Sequence, residues 1–219
     1  MELPIKTETI GLNNFDITKI ISLYSPALPY HNFNHIIEVL SYAKKIMQDC
    51  ATEHIIVDEK VVNIAILFHD AGYHEDHASL GFSTKESYSA FLAREFLKEK
   101  NFETNIIDQI QSAILATEKN GSFNKAEAKV VRAADLFGLS SQYETFLENA
   151  HKIKAEYEFL VGRKTDWEDW KLATIGLLTE FLSREIELTA FFSSNEDGCS
   201  QFHKLANINL KKLSVQSNI

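Results

Sequence analysis

The sequence predicts an all-α protein, a single-domain helical bundle over residues 1–219, with a core at about 30–140 and C-terminal helices at about 140–215 packed on it. Three observations predict this class. Apolar residues recur at helical spacing in one segment after another. All three prolines, Pro4, Pro26 and Pro29, fall in the first thirty residues, so nothing beyond them breaks a helix interior. No glycine-rich phosphate loop and no alternating strand–helix pattern interrupts the series.

The elements follow in order. A short amphipathic opening around Ile17–Tyr24 leads into SPALPYHN, which is turn-like. NHIIEVLSYAKKIMQDC then places Ile36, Leu40, Ala43, Met47 and Cys50 at helical spacing. HIIV, at 54–57, is compatible with a short strand, because periodicity does not assign so short a run. DEKVVNIAILFHDA starts on Asp58, a good N-cap, and runs as a mostly buried helix. GYHEDHASLGF reads as a loop between two glycines. The next helix opens on Ser83, with Glu86 three residues later as in a capping box. ETNIIDQIQSAILATE is amphipathic, and NGSF breaks it. Asn124 and Glu127 repeat the box spacing before KVVRAADLFG. A long segment covers about 140–160, Thr165 and Glu168 open a helix through WKLATIGLLTEFL, and a last helix carries Leu205, Ile208 and Leu213.

Composition excludes several function classes. Lys and Arg number 22 against 31 Asp and Glu, a net charge of −9, and no basic stripe exists to neutralise a nucleic-acid backbone. Cys50 and Cys199 are too few for a disulfide framework or a thiolate metal site. The opening MELPIKTETIGL lacks the pattern of a signal peptide, and no run of 18 apolar residues is present. The expectation is a cytoplasmic protein without membrane or nucleic-acid partners, acting on a small molecule, with room for a homo-oligomer.

One stretch, ILFHDAGY at 66–73, sets His69 and Asp70 side by side at the end of an apolar run. Burying a carboxylate costs several kcal/mol or more unless something compensates it. A cation would supply the missing charge, and imidazole with carboxylate suits Zn, Mn, Fe, Co or Ni. Upstream, YHNFNHI offers His31 and His35, four residues apart. Downstream, VVRAADLFG offers Asp135, an acid where an apolar residue is expected. His35, His69, Asp70 and Asp135 would form a two-histidine, two-carboxylate site drawn from three helices. The competing readings are a helix-end pair for His69–Asp70, a helix cap for His35 and a surface pair with Arg132 for Asp135.

This arrangement resembles the HD-domain superfamily of metal-dependent phosphohydrolases. Beyond the doublet, YHNFNHI, KESYSA at 85–90, RAADL at 132–136, AEYEFLVGR at 155–163 and LANINL at 205–210 resemble a branch of small predicted HD phosphohydrolases, in order along most of the chain. The resemblance implies one divalent metal ion, of identity open among Mn, Zn, Fe, Co, Ni and Mg, held by His35, His69, Asp70 and Asp135. It implies a glutamate facing the metal, Glu86, which the capping box claims equally. Asp70 would ligate and orient a water, and Glu86 would take its proton. His31 is a candidate substrate contact, a second-sphere group or a packed histidine. Arg163 follows the family pattern, as a phosphate contact or a structural bridge. Lys85 departs from that pattern, where an asparagine is expected. The absence of histidine from 78 to 150 favours one metal over two, with His74 and His77 in a solvated loop. The implied function is hydrolysis of a small phosphorylated metabolite such as a nucleotide. The alternatives are a metal-stabilised nucleotide sensor and an HD-type di-iron oxygenase.

Overall fold

The computed structural model describes residues 3–216. Among them are nine α-helices, two short 3-10 turns and no strand. HIIV is irregular chain, so the possible strand does not form. The chain divides into two compact units. One takes the N-terminal residues to Ala27 and His31–Asp135; the other takes Leu28–Tyr30 and the chain from Leu136 onward.

In the first unit, α1 (Asn14–Ile21) opens on a capping box between Asn13 and Asp16. Helix α2 (Phe33–Thr52) is capped by Asn32, whose side chain accepts from Asn34 N at 2.9 Å. Helix α3 (Glu59–Phe68) starts where Asp58 accepts from Lys60 N and Val61 N, as its sequence predicts. Every residue from Val61 to Phe68 is buried. A helix apolar all round belongs inside a core, and α3 packs against α2, α4 (Lys85–Glu99) and α5 (Thr104–Leu115).

Three expected caps are displaced. Helix α4 is capped by Thr84, not Ser83: Thr84 Oγ1 accepts from Ser87 N at 3.0 Å, and Ser87 Oγ accepts from Thr84 N at 3.1 Å. The box runs one residue later than expected, with serine in the reciprocal role, and Glu86 has no part in it. Helix α6 (Ala126–Leu136) begins beyond Asn124, since Lys129 N bonds to Lys125 O. Glu127 accepts instead from Asp58 N at 3.0 Å, tying α6 to the start of α3. In the second unit, Asp166 rather than Thr165 caps α8 (Trp167–Leu182), and Glu168 pairs with Lys171 at 2.7 Å.

The second unit centres on α9 (Gln201–Val215), which contacts α7 (Tyr143–Val161), α8 and the turn Phe137–Ser140. Its core gathers Phe146, Trp167, Trp170, Leu210 and Leu213, so the WEDW tryptophans are core residues. Asn209 donates to Leu139 O and Ser141 O, fastening α9 to the turn. Glu156 is buried and accepts from Tyr30 N at 3.0 Å.

The displaced cap yields a test. Thr84→Ala removes both the cap and a 2.6 Å bond from Thr84 Oγ1 to Glu118. It is expected to cost about 1–2 kcal/mol in urea unfolding. Ser83→Ala should stay within about 0.5 kcal/mol of the parent. Equal losses would return the cap to Ser83.

Candidate metal centre

Three helix ends of the first unit deliver the four candidate ligands. His35 is the third residue of α2 and buried; because Asn32 caps the helix, the imidazole is not spent on capping. His69 is the C-cap residue of α3, and Asp70 begins the turn that follows. Asp135 sits in the last turn of α6. Arg132, three residues earlier, is not a surface residue. Its guanidinium is fully buried, donating to Ala116 O at 2.7 Å and Glu118 O at 2.8 Å and lying 4.6 Å from the Phe123 ring centre. That bond pair anchors α6 to the end of α5.

The turn carrying the doublet is held from several sides. Tyr24 Oη donates to Leu67 O at 2.8 Å, Ser89 Oγ donates to Ala71 O at 2.9 Å, and Gly72 N bonds to Leu23 O at 3.0 Å. Gly72 has φ of +72°, and a Cβ there would lie 2.5 Å from the Tyr88 ring. Both the left-handed backbone and the close ring demand glycine.

The four ligand atoms converge. His69 Nε2 lies 3.0 Å from Asp70 Oδ2 and 3.5 Å from Asp135 Oδ1. His35 Nε2 lies 3.7 Å from Asp70 Oδ2 and 3.6 Å from Asp135 Oδ1. His35, His69 and Asp135 form a group whose ligand atoms all lie within 4.8 Å, close enough to hold a metal ion, and Asp70 reaches both imidazoles. Metal–ligand bonds near 2.0–2.1 Å put neighbouring ligand atoms about 3.0–3.4 Å apart, close to these spacings. Two further observations fit a cation. His69 Nε2 and Asp70 Oδ2 are buried and near each other, yet form no hydrogen bond of proper geometry. His69 Nδ1 lies 2.9 Å from Ile66 O. A carbonyl only accepts, so Nδ1 carries a proton, and in the neutral ring the Nε2 lone pair would be left for a cation.

The electrostatics agree. Burial would push the Asp135 and Asp70 carboxyls up, but the neighbouring histidines hold both below the ordinary carboxylate value. Burial would push the His69 imidazole down, but Asp70 and Asp135 raise it well above its ordinary value. Glu86 is part-buried beside these acids, and burial first, then the charges of Asp70, Glu118 and Asp135, raises its carboxyl.

The remaining candidates fall out differently. His31 lies next to the cluster, its ring edge-on to His35 with centres 5.8 Å apart, and its charge acts on Asp70. His74 is exposed and pairs with Glu75 at 3.1 Å, and neither it nor His77 joins the ligand group. Arg163 is exposed in the second unit, one residue past the left-handed Gly162 that ends α7. Tyr73, Lys85 and the buried Arg132 were not legible as site neighbours, because only tertiary packing brings them to it.

A helical fold with a buried histidine–carboxylate cluster defines a class of protein. Residues 32–138 match the family model of the HD domain. That match spans 107 of the 219 residues and takes in all four candidate ligands. No curated protein matches the sequence. Among solved structures, the phosphodiesterase domain of Salpingoeca rosetta rhodopsin phosphodiesterase is similar at a TM-score of 0.63 and 18% identity, over 94% of this chain and 82% of that one. The phosphodiesterase domain of the RhoPDE fusion protein from the same choanoflagellate gives 0.59 and 18%, over 94% and 81%. LmjPDEB1 in complex with IBMX gives 0.57 and 14%, over 94% and 81%. At these identities the likeness is one of fold. No helix among the described residues is long and apolar enough to cross a membrane.

Two predictions follow from the cluster. Elemental analysis should find about one divalent ion per chain, because the ligand cluster offers a single centre. His69→Ala and Asp135→Ala should lose it while keeping a helical circular-dichroism spectrum. A ratio near two would overturn the mononuclear expectation.

The second concerns pH in the metal-stripped protein. A depressed carboxyl stabilises the fold above its unfolded value and loses that contribution as pH falls, which applies to Asp70 and Asp135. A raised imidazole stabilises the fold below its unfolded value of about 6.5 and loses that contribution as pH rises through the folded value, which applies to His69. The stripped protein should therefore melt at lower temperature at pH 9 than at pH 6. Metal binding needs neutral histidine, so the rise in melting temperature on adding metal should grow over the same range. A metal-induced rise independent of pH would count against His69 as ligand.

Proposed function

We propose that the protein hydrolyses a phosphoester or pyrophosphate bond in a small phosphorylated metabolite such as a nucleotide, at the His35, His69, Asp70 and Asp135 cluster. The observation that carries this reading is the convergence of two imidazoles and two carboxylates at metal-ligand spacing, with Glu86 released from capping duty beside them. The two Salpingoeca rosetta neighbours are phosphodiesterase domains, which supports including diesters among the substrates.

A bound divalent ion supplies Lewis-acid polarisation of a phosphoryl oxygen and lowers the pKa of a water. Asp70 would help to hold the ion and would orient a water beside it. Glu86 would accept the proton of that water: its raised carboxyl lies nearer working pH than an ordinary glutamate, as suits a general base. His31 would contact a phosphate oxygen. The neutral Nε2 of His69 is kept aimed by its bond to Ile66 O.

The test is a metal-supplemented hydrolysis screen over nucleotides, cyclic diesters, sugar phosphates and pyrophosphates. Release of phosphate, or of a new phosphate monoester, supports the reading. Tight nucleotide binding with no turnover under any metal would make the protein a sensor. Glu86→Gln should lower turnover by roughly 10²–10⁴-fold. Because Thr84 and Ser87 form the cap, its metal content and melting temperature should stay near the parent's. Parent-rate turnover by this variant would remove Glu86 from the chemistry.

A further inference from the structure

A column of three side chains stands beside the ligand cluster. Tyr73, three residues past Asp70, stacks on His31 with ring centres 3.8 Å apart and planes 13° from parallel. Lys85 Nζ lies over the same phenol ring, 4.0 Å from its centre. The imidazole covers one face almost flat, which leaves the other face to the ammonium. Lys85 Nζ also donates a hydrogen bond to the backbone carbonyl of Tyr73. One ammonium thus grips Tyr73 at both ring and main chain.

Local preference does not explain a lysine at this position. Lys85 is the first residue of α4, and a cation in the first turn opposes the helix dipole. The contact with Tyr73 offsets this, because an ammonium is attracted to the face of an aromatic ring. The start of α4 is itself fixed by the Thr84–Ser87 box and by Thr84 Oγ1 donating to Glu118. Tyr73 in turn belongs to the turn that carries the doublet, with Tyr73 N bonded to Asp70 O at 3.1 Å. A continuous chain of contacts runs from the end of α5 through the start of α4 to Tyr73, and on to His31.

We infer that Lys85 is a positioning residue that clamps Tyr73, and that the Tyr73 ring holds His31 against the ligand cluster, where it meets the substrate phosphate. This deepens the reading given above and rests on it for the role of His31. His31 precedes α2 by two residues and so is not held by helix hydrogen bonding. A flat stack against a doubly anchored ring restricts the imidazole to one orientation, which lowers the ordering cost when an anion binds.

The test uses the full chain with zinc added, and the variants Lys85→Met, Lys85→Arg and Tyr73→Leu. A face-to-face stack places the His31 ring protons in the shielding region of the phenol. Those protons, assigned by their loss in His31→Gln, should resonate upfield in the parent. Tyr73→Leu should move them downfield. Lys85→Met should move them the same way, and Lys85→Arg, which retains a cation over the ring, should leave them near the parent position. With bis(4-nitrophenyl) phosphate as probe, Lys85→Met should raise KM several-fold, with a smaller change in kcat and unchanged metal content. His31 resonances and KM both at parent values in Lys85→Met would overturn the proposal. If the parent hydrolyses nothing, the hydrolase reading fails while the proton shifts still decide whether the clamp exists. If Lys85→Met does not fold, Tyr73→Leu decides: unchanged His31 shifts there overturn the clamp.

Discussion

The constraint on which the first unit depends is the placing of two carboxylates each 3.0–3.7 Å from both of two imidazoles in a largely buried pocket. Carboxylates sharing one pocket repel and resist desolvation, and imidazoles beside them neutralise the pair only if protonated. A divalent cation relieves both costs while leaving the histidines neutral. The rest of the local architecture keeps these groups from escaping each other. Helix α3 is buried along its last eight residues, so its C-terminal end cannot swing outward. The turn after it is bonded through Tyr24, Ser89 and Gly72, which leaves the doublet one conformation.

Asp135 reaches the cluster by a different route. It comes from α6, far along the chain, and α6 is fixed at both ends by side chains reaching to other elements. Glu127 accepts from Asp58 N at one end, and Arg132 donates to the carbonyls closing α5 near the other. A buried arginine is acceptable where its donors meet carbonyl oxygens and its plane meets an aromatic ring. Here it takes the place of a capping residue at the end of α5, and as a result the following turn of α6 is aimed at the histidines.

Glu86 illustrates how a local and a tertiary demand compete for one side chain. Both serine and threonine precede α4, and either could start it. Thr84 takes the cap because its hydroxyl also reaches Glu118, and the reciprocal role then falls to Ser87. The glutamate is left part-buried among three other acids, with its carboxyl raised. That environment is a poor one for stability and a suitable one for proton transfer.

The helices, their inward faces and the inward acids and histidines were legible in the sequence, because period and burial are properties of each segment by itself. Asp58, the glycines around the loop and the buried run of α3 lie where the pattern put them. The convergence of His35, His69, Asp70 and Asp135 was likewise foreshadowed, since each is a polar residue on an apolar face or at its end. The caps at Ser83, Asn124 and Thr165 were misread. A capping pattern states only which side chains can bond to a helix start, and distant partners such as Glu118 and Asp58 decide which of them do. Arg132, Tyr73 and Lys85 became visible as site neighbours only in three dimensions, because a stacking distance or a bond to a carbonyl across the fold leaves no period in the chain.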